Sequence, residues 1–118
     1  MSLRMSEIVI DCAEHGAVVD FWVAALGYVR HAVNDQYVAV APARADDPGA
    51  PVLLFQKVPE PKAIKNRVHL DFRADDMAVE VGRLTALGAT SIAERTLGDT
   101  LRWTVMADPE GNEFCVTA

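Results

Sequence analysis

The sequence repeats its own punctuation. Ala25-Leu26-Gly27 returns as Ala86-Leu87-Gly88 and Asp47-Pro48 returns as Asp108-Pro109, both at a spacing of 61 residues. The residues between follow one order in each half. EIVIDC (7–12) is apolar and β-branched and reads as a strand, and AVVDFWVAAL (17–26) sets Val18, Phe21, Trp22 and Ala25 at helical spacing before Gly27. QYVAVA (36–41) and VLLFQKV (52–58) read as strands on either side of the turn-forming ARADDPGAP. PEPKAIKN (59–66), with two prolines and two lysines, reads as a connector. The second half repeats the series: RVHLDFR (67–73) as a strand, then Asp75-Asp76 as an N-cap for a helix with a Met77, Val81, Leu84, Leu87 stripe ending at Gly88. SIAERT (91–96) and LRWTVMA (101–107) form strands around Gly98-Asp99, and DPEGN turns into EFCVT. His15 and His31 fall in expected loops. Halves of ~50 residues bury too little surface to fold alone, so two modules sharing one core are expected.

Composition narrows the setting. The chain has 118 residues, 51% of them hydrophobic, and a formal charge of −6. An acidic chain of this size is a poor match to nucleic acid, whose phosphates repel it. No apolar run approaches the roughly 18 residues of a membrane span, and MSLRMSEIV lacks the apolar stretch of a signal peptide. Two cysteines, Cys12 and Cys115, are too few for a disulfide framework, so a cytoplasmic protein is expected.

The repeat, with FWVAALGY, LLFQKVPEPKAIKNRVHLDFR and DPEGNEFCV, resembles the vicinal oxygen chelate superfamily: glyoxalase I, bleomycin-resistance proteins and extradiol dioxygenases. More narrowly it is similar to small glyoxalase-like domain proteins. The resemblance implies an α+β fold of two βαβββ modules, about 7–58 and 67–118, whose strands form a half-open, eight-stranded mixed sheet around a funnel. It also implies homodimers and, in active members, a divalent metal held by four residues of the funnel wall.

Those four positions can be read in this chain. In the second module the resemblance puts the histidine at His69. The closing carboxylate, seven residues after the Asp of the DP turn, falls on Cys115 and not on Glu113, which shares its strand face ~7 Å away. In the first module the histidine position falls at Glu7 or at Val9, and the strand carboxylate at Leu54 or at Gln56. A hard ion such as Mg²⁺ or Mn²⁺ wants more oxygen than this set offers. His69 and Cys115 with Gln56 and Glu7 would make a soft site, of a kind for Zn²⁺ or Ni²⁺; otherwise no metal cofactor is expected.

The remaining candidates line the same face. Asp71 and Arg73 share it with His69, either as a polar lining or as an ion pair orienting the histidine. Trp103, with Leu101 and Val105, is either a funnel-facing aromatic wall or core, whereas Phe21 and Trp22 are core. Cys115, flanked by Phe114 and Val116, reads most simply as a small buried hydrophobe, because no cation in the sequence pattern lowers its pKa. Asp11 is expected to bond a turn amide, and Lys62, Lys65 and Arg67 to be a solvated connector or an anion-attracting rim.

Three functions follow. The leading one is a glyoxalase-like binder of a small apolar or aromatic molecule, lined by His69, Asp71, Gln56, Trp103, Glu113 and Cys115, without the usual full metal set. A metal-dependent lyase or isomerase using His69 and Cys115 is the second, and a non-catalytic dimeric accessory domain the third. In a metal-free enzyme His69 is the general acid or base, oriented by Asp71 or Glu113. No phosphate loop, nucleophile elbow or dinucleotide fingerprint is present.

Overall fold

The computed structural model describes residues 2–44 and 49–118. The Asp47-Pro48 half of the repeat lies outside the described residues. The chain divides into two compact units, 1–61 and 62–118. Each is built as strand, helix and three strands, and each carries its own four-stranded sheet. The fold is α+β, with eight strands and two helices among the described residues.

In the first unit β1 (Glu7–Cys12) is followed by α1 (His15–Leu26), β2 (Val29–Ala32), β3 (Tyr37–Ala41) and β4 (Val52–Lys57). The sheet order is β1-β4-β3-β2, with β1 and β4 parallel and the other pairs antiparallel. α1 starts two residues earlier than the apolar periodicity indicates. It stops at Gly27, whose φ of 67° is left-handed and whose N–H donates to the Val23 carbonyl. α1 packs Val18, Val19, Phe21 and Trp22 on the side of the sheet that carries Val40, Leu53 and Phe55, all buried. Phe21 and Trp22 meet edge to face at 5.0 Å.

Both histidines assigned to loops sit in regular elements. His31 lies in β2, a strand with every residue exposed. Without an apolar alternation it leaves no periodic signal, which is why the sequence does not announce it. His15 opens α1, and its Nε2 bridges the carbonyls of Gln36 and Phe55 at 3.0 and 3.2 Å, so it fastens the helix start to β3 and β4.

In the second unit β5 (Leu70–Arg73) leads to α2 (Met77–Leu87), then β6 (Thr90–Leu97), β7 (Leu101–Ala107) and β8 (Glu113–Thr117). The order is β5-β8-β7-β6, again with one parallel pair, β5 and β8. The first strand is shorter than expected from RVHLDFR, so His69 stands immediately before β5 rather than within it. Asp76 is the N-cap of α2, its carboxylate accepting the Val79 N–H at 3.1 Å. Met77 and Leu84 are buried against the face carrying Met106, Phe114 and Val116, and Thr104 Oγ1 lies 3.6 Å from Met77 Sδ. Phe72 meets Phe114 edge to face at 6.0 Å. Leu87, at the end of the expected stripe, is exposed.

The cap gives a direct check on this packing. Asp76→Ala removes one backbone partner and is expected to cost about 1 kcal/mol. Calorimetry should show a Tm lower by ~4 °C with unfolding still cooperative.

Candidate functional site

Cross-strand register decides which side chains of the second unit share a face. Asp71 pairs with Cys115, and Cys115 in turn with Val105. Arg73 pairs with Thr117, which pairs with Trp103. These residues occupy the face turned away from α2, because the alternating residues Phe72, Phe114, Val116 and Met106 are on the α2 side. His69, Asp71, Glu113, Cys115 and Trp103 therefore lie on one surface, as the period of two implies.

His69 Nε2 lies 3.3 Å from Asp71 Oδ1, with the two side chains 41% and 59% exposed. Asp71 thus orients the imidazole, and among the described residues it makes no ion pair with Arg73. Cys115 is buried, and burial pushes its thiol up. The charge of Asp71 and a hydrogen bond to it act in the same direction. Lys65 pulls the thiol down by less. That cation, on the irregular segment five residues before β5, is the one the sequence pattern does not reveal. The balance favours the neutral thiol, which suits a small packed side chain and not a nucleophile.

Glu113 is committed elsewhere. Its carboxylate takes a hydrogen-bonded ion pair from Lys62 at 2.9 Å and the Asn66 N–H at 3.3 and 3.4 Å. The side chains of Glu113 and Lys62 are only 13% and 23% exposed. Lys62 also donates to the Ile64 carbonyl, and Asn66 Nδ2 donates to Asn112 Oδ1 at 2.8 Å. The expected solvated lysine is instead the anchor that clips 62–66 onto the start of β8. Burial alone would raise the Glu113 carboxyl, but the Lys62 and backbone hydrogen bonds and the Lys62 charge outweigh it and hold it below the usual carboxylate range.

In the first unit Asp11 pairs with Gln56 and Val9 with Leu54, while Glu7 pairs with Val52. All six share the face turned away from α1. Gln56 and Tyr37 are partners across β4 and β3. Comparing the two parallel pairs leaves both sets of first-unit positions consistent with the register. Cys115 stands opposite Asp71, two residues after His69; Leu54 stands opposite Val9, two residues after Glu7. With Glu7 as the counterpart of His69, Leu54 is that of Cys115; with Val9 as that counterpart, Gln56, opposite Asp11, takes the place. Glu7 and Gln56 are offset by four residues along the strands, ~13 Å, so the register does not bring them to one ion.

One donor cluster does form. His69, Asp71 and Cys115 each offer a ligand atom, and these lie within 4.8 Å of one another. One nitrogen, one oxygen and one sulfur do not suit a hard octahedral cation, which needs mostly oxygen. They do suit a borderline-soft divalent ion such as Zn²⁺, whose three-ligand sites use these atoms. Such an ion must displace the Cys115 proton, so its affinity falls as pH falls.

The comparisons follow this geometry. A family profile described as "Glyoxalase-like domain" matches residues 7–117. No curated protein matches the sequence. Among solved structures, a glyoxalase/bleomycin resistance protein/dioxygenase family enzyme from Burkholderia phytofirmans PsJN is 21% identical, with a TM-score of 0.73 over 95% of each chain. The fosfomycin resistance protein FosX from Listeria monocytogenes is 14% identical with a TM-score of 0.78, over 100% of this chain and 94% of its own. A mutant of that protein was solved with Mn(II) and 1S,2S-dihydroxypropylphosphonic acid; it is 13% identical with a TM-score of 0.77, over 98% and 90%. At these identities the likeness is one of fold.

The Lys62–Glu113 clip gives a pH signature. A carboxyl held low in the folded state contributes stability above its unfolded pKa of about 4.5, and that stability is lost as pH falls through the lower folded value. Chemical denaturation from pH 7 to pH 3 should show Glu113→Gln clearly less stable than wild type at neutral pH. The gap should close below pH ~4.5, and a gap independent of pH would contradict the assignment.

Proposed function

The chain belongs to the glyoxalase-like domain family, within the vicinal oxygen chelate superfamily, and on that premise we propose that it binds a small apolar or aromatic molecule without the family's usual full metal-ligand set. The observation that carries this reading is buried Cys115, opposite Asp71 and two residues on from His69, with Leu54 or Gln56 at the matching place of the first unit. Where the resemblance implies a metal-binding carboxylate in each module, one strand presents an aliphatic or an amide side chain, Leu54 or Gln56, and the other a neutral thiol. The α2-distal face of the second sheet adds half-buried Trp103 and Val105, apolar surface that a ring can cover. His69, oriented by Asp71, is a polar group on that face able to hydrogen-bond a ligand or to transfer a proton. The resemblance supports a homodimer, and a count of two cysteines, too few for a disulfide framework, agrees with a reducing, cytoplasmic setting.

Thermal-shift measurements against aromatic metabolites and antibiotics test this. A ligand present at 100 times its Kd adds about 2.7 kcal/mol, which raises Tm by roughly 10 °C. The shift should persist in a chelator such as EDTA. No stabilisation by any compound, or a shift abolished by chelation, would overturn the reading.

The donor cluster favours one second reading: a divalent-metal-dependent lyase or isomerase held together by His69 and Cys115, with Asp71 as the third ligand. Elemental analysis after anaerobic loading with Zn²⁺ separates the two. About one equivalent, lost in His69→Ala and in Cys115→Ser, supports the metal site; less than about a tenth of an equivalent, or full retention in His69→Ala, excludes it.

A further inference from the structure

Five arginines lie in helices or strands: Arg30, Arg73, Arg83, Arg95 and Arg102. Three are neutralised. Arg30 pairs with Asp20, Arg83 with Glu80 at 2.7 Å and Arg102 with Glu94 at 2.8 Å. Among the described residues Arg73 and Arg95 make no ion pair and no side-chain hydrogen bond, and the indole N–H of Trp103 has no partner either. These three side chains are not scattered. Register places Arg73 opposite Thr117, Thr117 opposite Trp103 and Trp103 opposite Arg95, in a single row across β5, β8, β7 and β6. The row is on the α2-distal face, and it spans three strand spacings, ~14 Å between the outer Cα atoms. The two arginines thus flank Thr117 and Trp103 at the ends of one row.

The flanking rows are apolar where they border the tryptophan. On one side Val105 pairs with Ala93, and on the other Leu97 pairs with Leu101, 64% and 55% exposed. The acids on this face are engaged elsewhere: Asp71, two residues from Arg73 toward the other end of β5, is 3.3 Å from His69, and Glu113 is paired with Lys62 at 2.9 Å. In a chain of net charge −6, two uncompensated guanidiniums in one row form a local reversal of sign. They bracket an exposed aromatic–aliphatic strip, and each offers a fork suited to a carboxylate.

We propose that the row Arg73–Thr117–Trp103–Arg95 binds the carboxylate of a small aromatic acid, with the ring over Trp103 and the carboxylate on a guanidinium. This rests on the preceding reading and names its ligand class. A ring is specified because apolar side chains frame the row on both sides; a bare oxyanion would leave them without a role. The guanidinium contact is charge-assisted and only partly shielded from solvent, so its contribution weakens with added salt.

Calorimetric titration with naphthoate and with its neutral isostere naphthamide tests the row. Naphthoate should bind about tenfold tighter than the amide, and Arg73→Gln combined with Arg95→Gln should bring the two within about twofold while leaving amide affinity unchanged. Both arginines are exposed, so the variant should unfold at the wild-type temperature. Trp103→Phe should weaken both probes. Equal binding of acid and amide by wild type would overturn this inference and leave the preceding reading standing. Failure of both probes to bind would overturn the two together. Displacement of naphthoate by equimolar inorganic phosphate would also overturn it, by showing an anion site that takes no account of the ring.

Discussion

The carboxylate of Asp108 governs the second unit. Asp108 is 4% exposed, and a buried carboxylate is tolerable only when its lone pairs are occupied. Its Oδ1 accepts the N–H groups of Glu110 and Asn112 at 2.9 and 3.0 Å, while its own N–H and carbonyl close the turn through Asn112 and Gly111. The turn fixes where β8 begins, and β8 is the central strand between β5 and β7. A slip of one residue would send Phe114 and Val116 off the α2 side and replace them with Glu113 and Cys115. The opposition of Asp71 and Cys115, and the row that joins Arg73 to Trp103, both descend from that register.

The parallel pair in each unit is what makes the modules comparable. β1 with β4, and β5 with β8, put the start of one strand beside the end of the module. Residues distant in sequence thereby become neighbours: Asp71 and Cys115 are partners, as are Val9 and Leu54. The same scaffold carries different chemistry in its two copies. The first offers Glu7, Val9 and Leu54; the second offers His69, Asp71 and Cys115. Among the described residues only the second assembles a donor cluster, and its sulfur is held neutral by burial and by the neighbouring Asp71 charge. Fold kinship with metalloenzymes does not transmit their ligands.

Much of this was legible in the residues because both modules use strong local signals. Alternation marked β1, β4, β7 and β8; helical periodicity with Gly27 and Gly88 bounded α1 and α2; and the DP turn set the count that falls on Cys115. β2 escaped because its four residues are all exposed and no alternation was required of them. Long-range electrostatics also escaped. Lys62 and Lys65 read as solvated charges on a proline-rich connector, yet Lys62 is the partner of Glu113, 51 residues away, and Lys65 acts on Cys115. His15 likewise gave no sign that its ring would bridge the carbonyl of Gln36, just before β3, and that of Phe55 in β4. Period and punctuation are local; partners brought together by topology are not.

The central claim is that a small molecule binds the α2-distal face of the second sheet. The two tryptophans make it measurable, because Trp22 is buried on the sheet-facing side of α1 and Trp103 is half-buried on the face in question. In ¹H–¹⁵N spectra recorded during titration with an aromatic metabolite panel, the account predicts that the Trp103 indole resonance shifts saturably while that of Trp22 stays in place. A saturable shift confined to Trp22, or none at Trp103 with any compound, would contradict it.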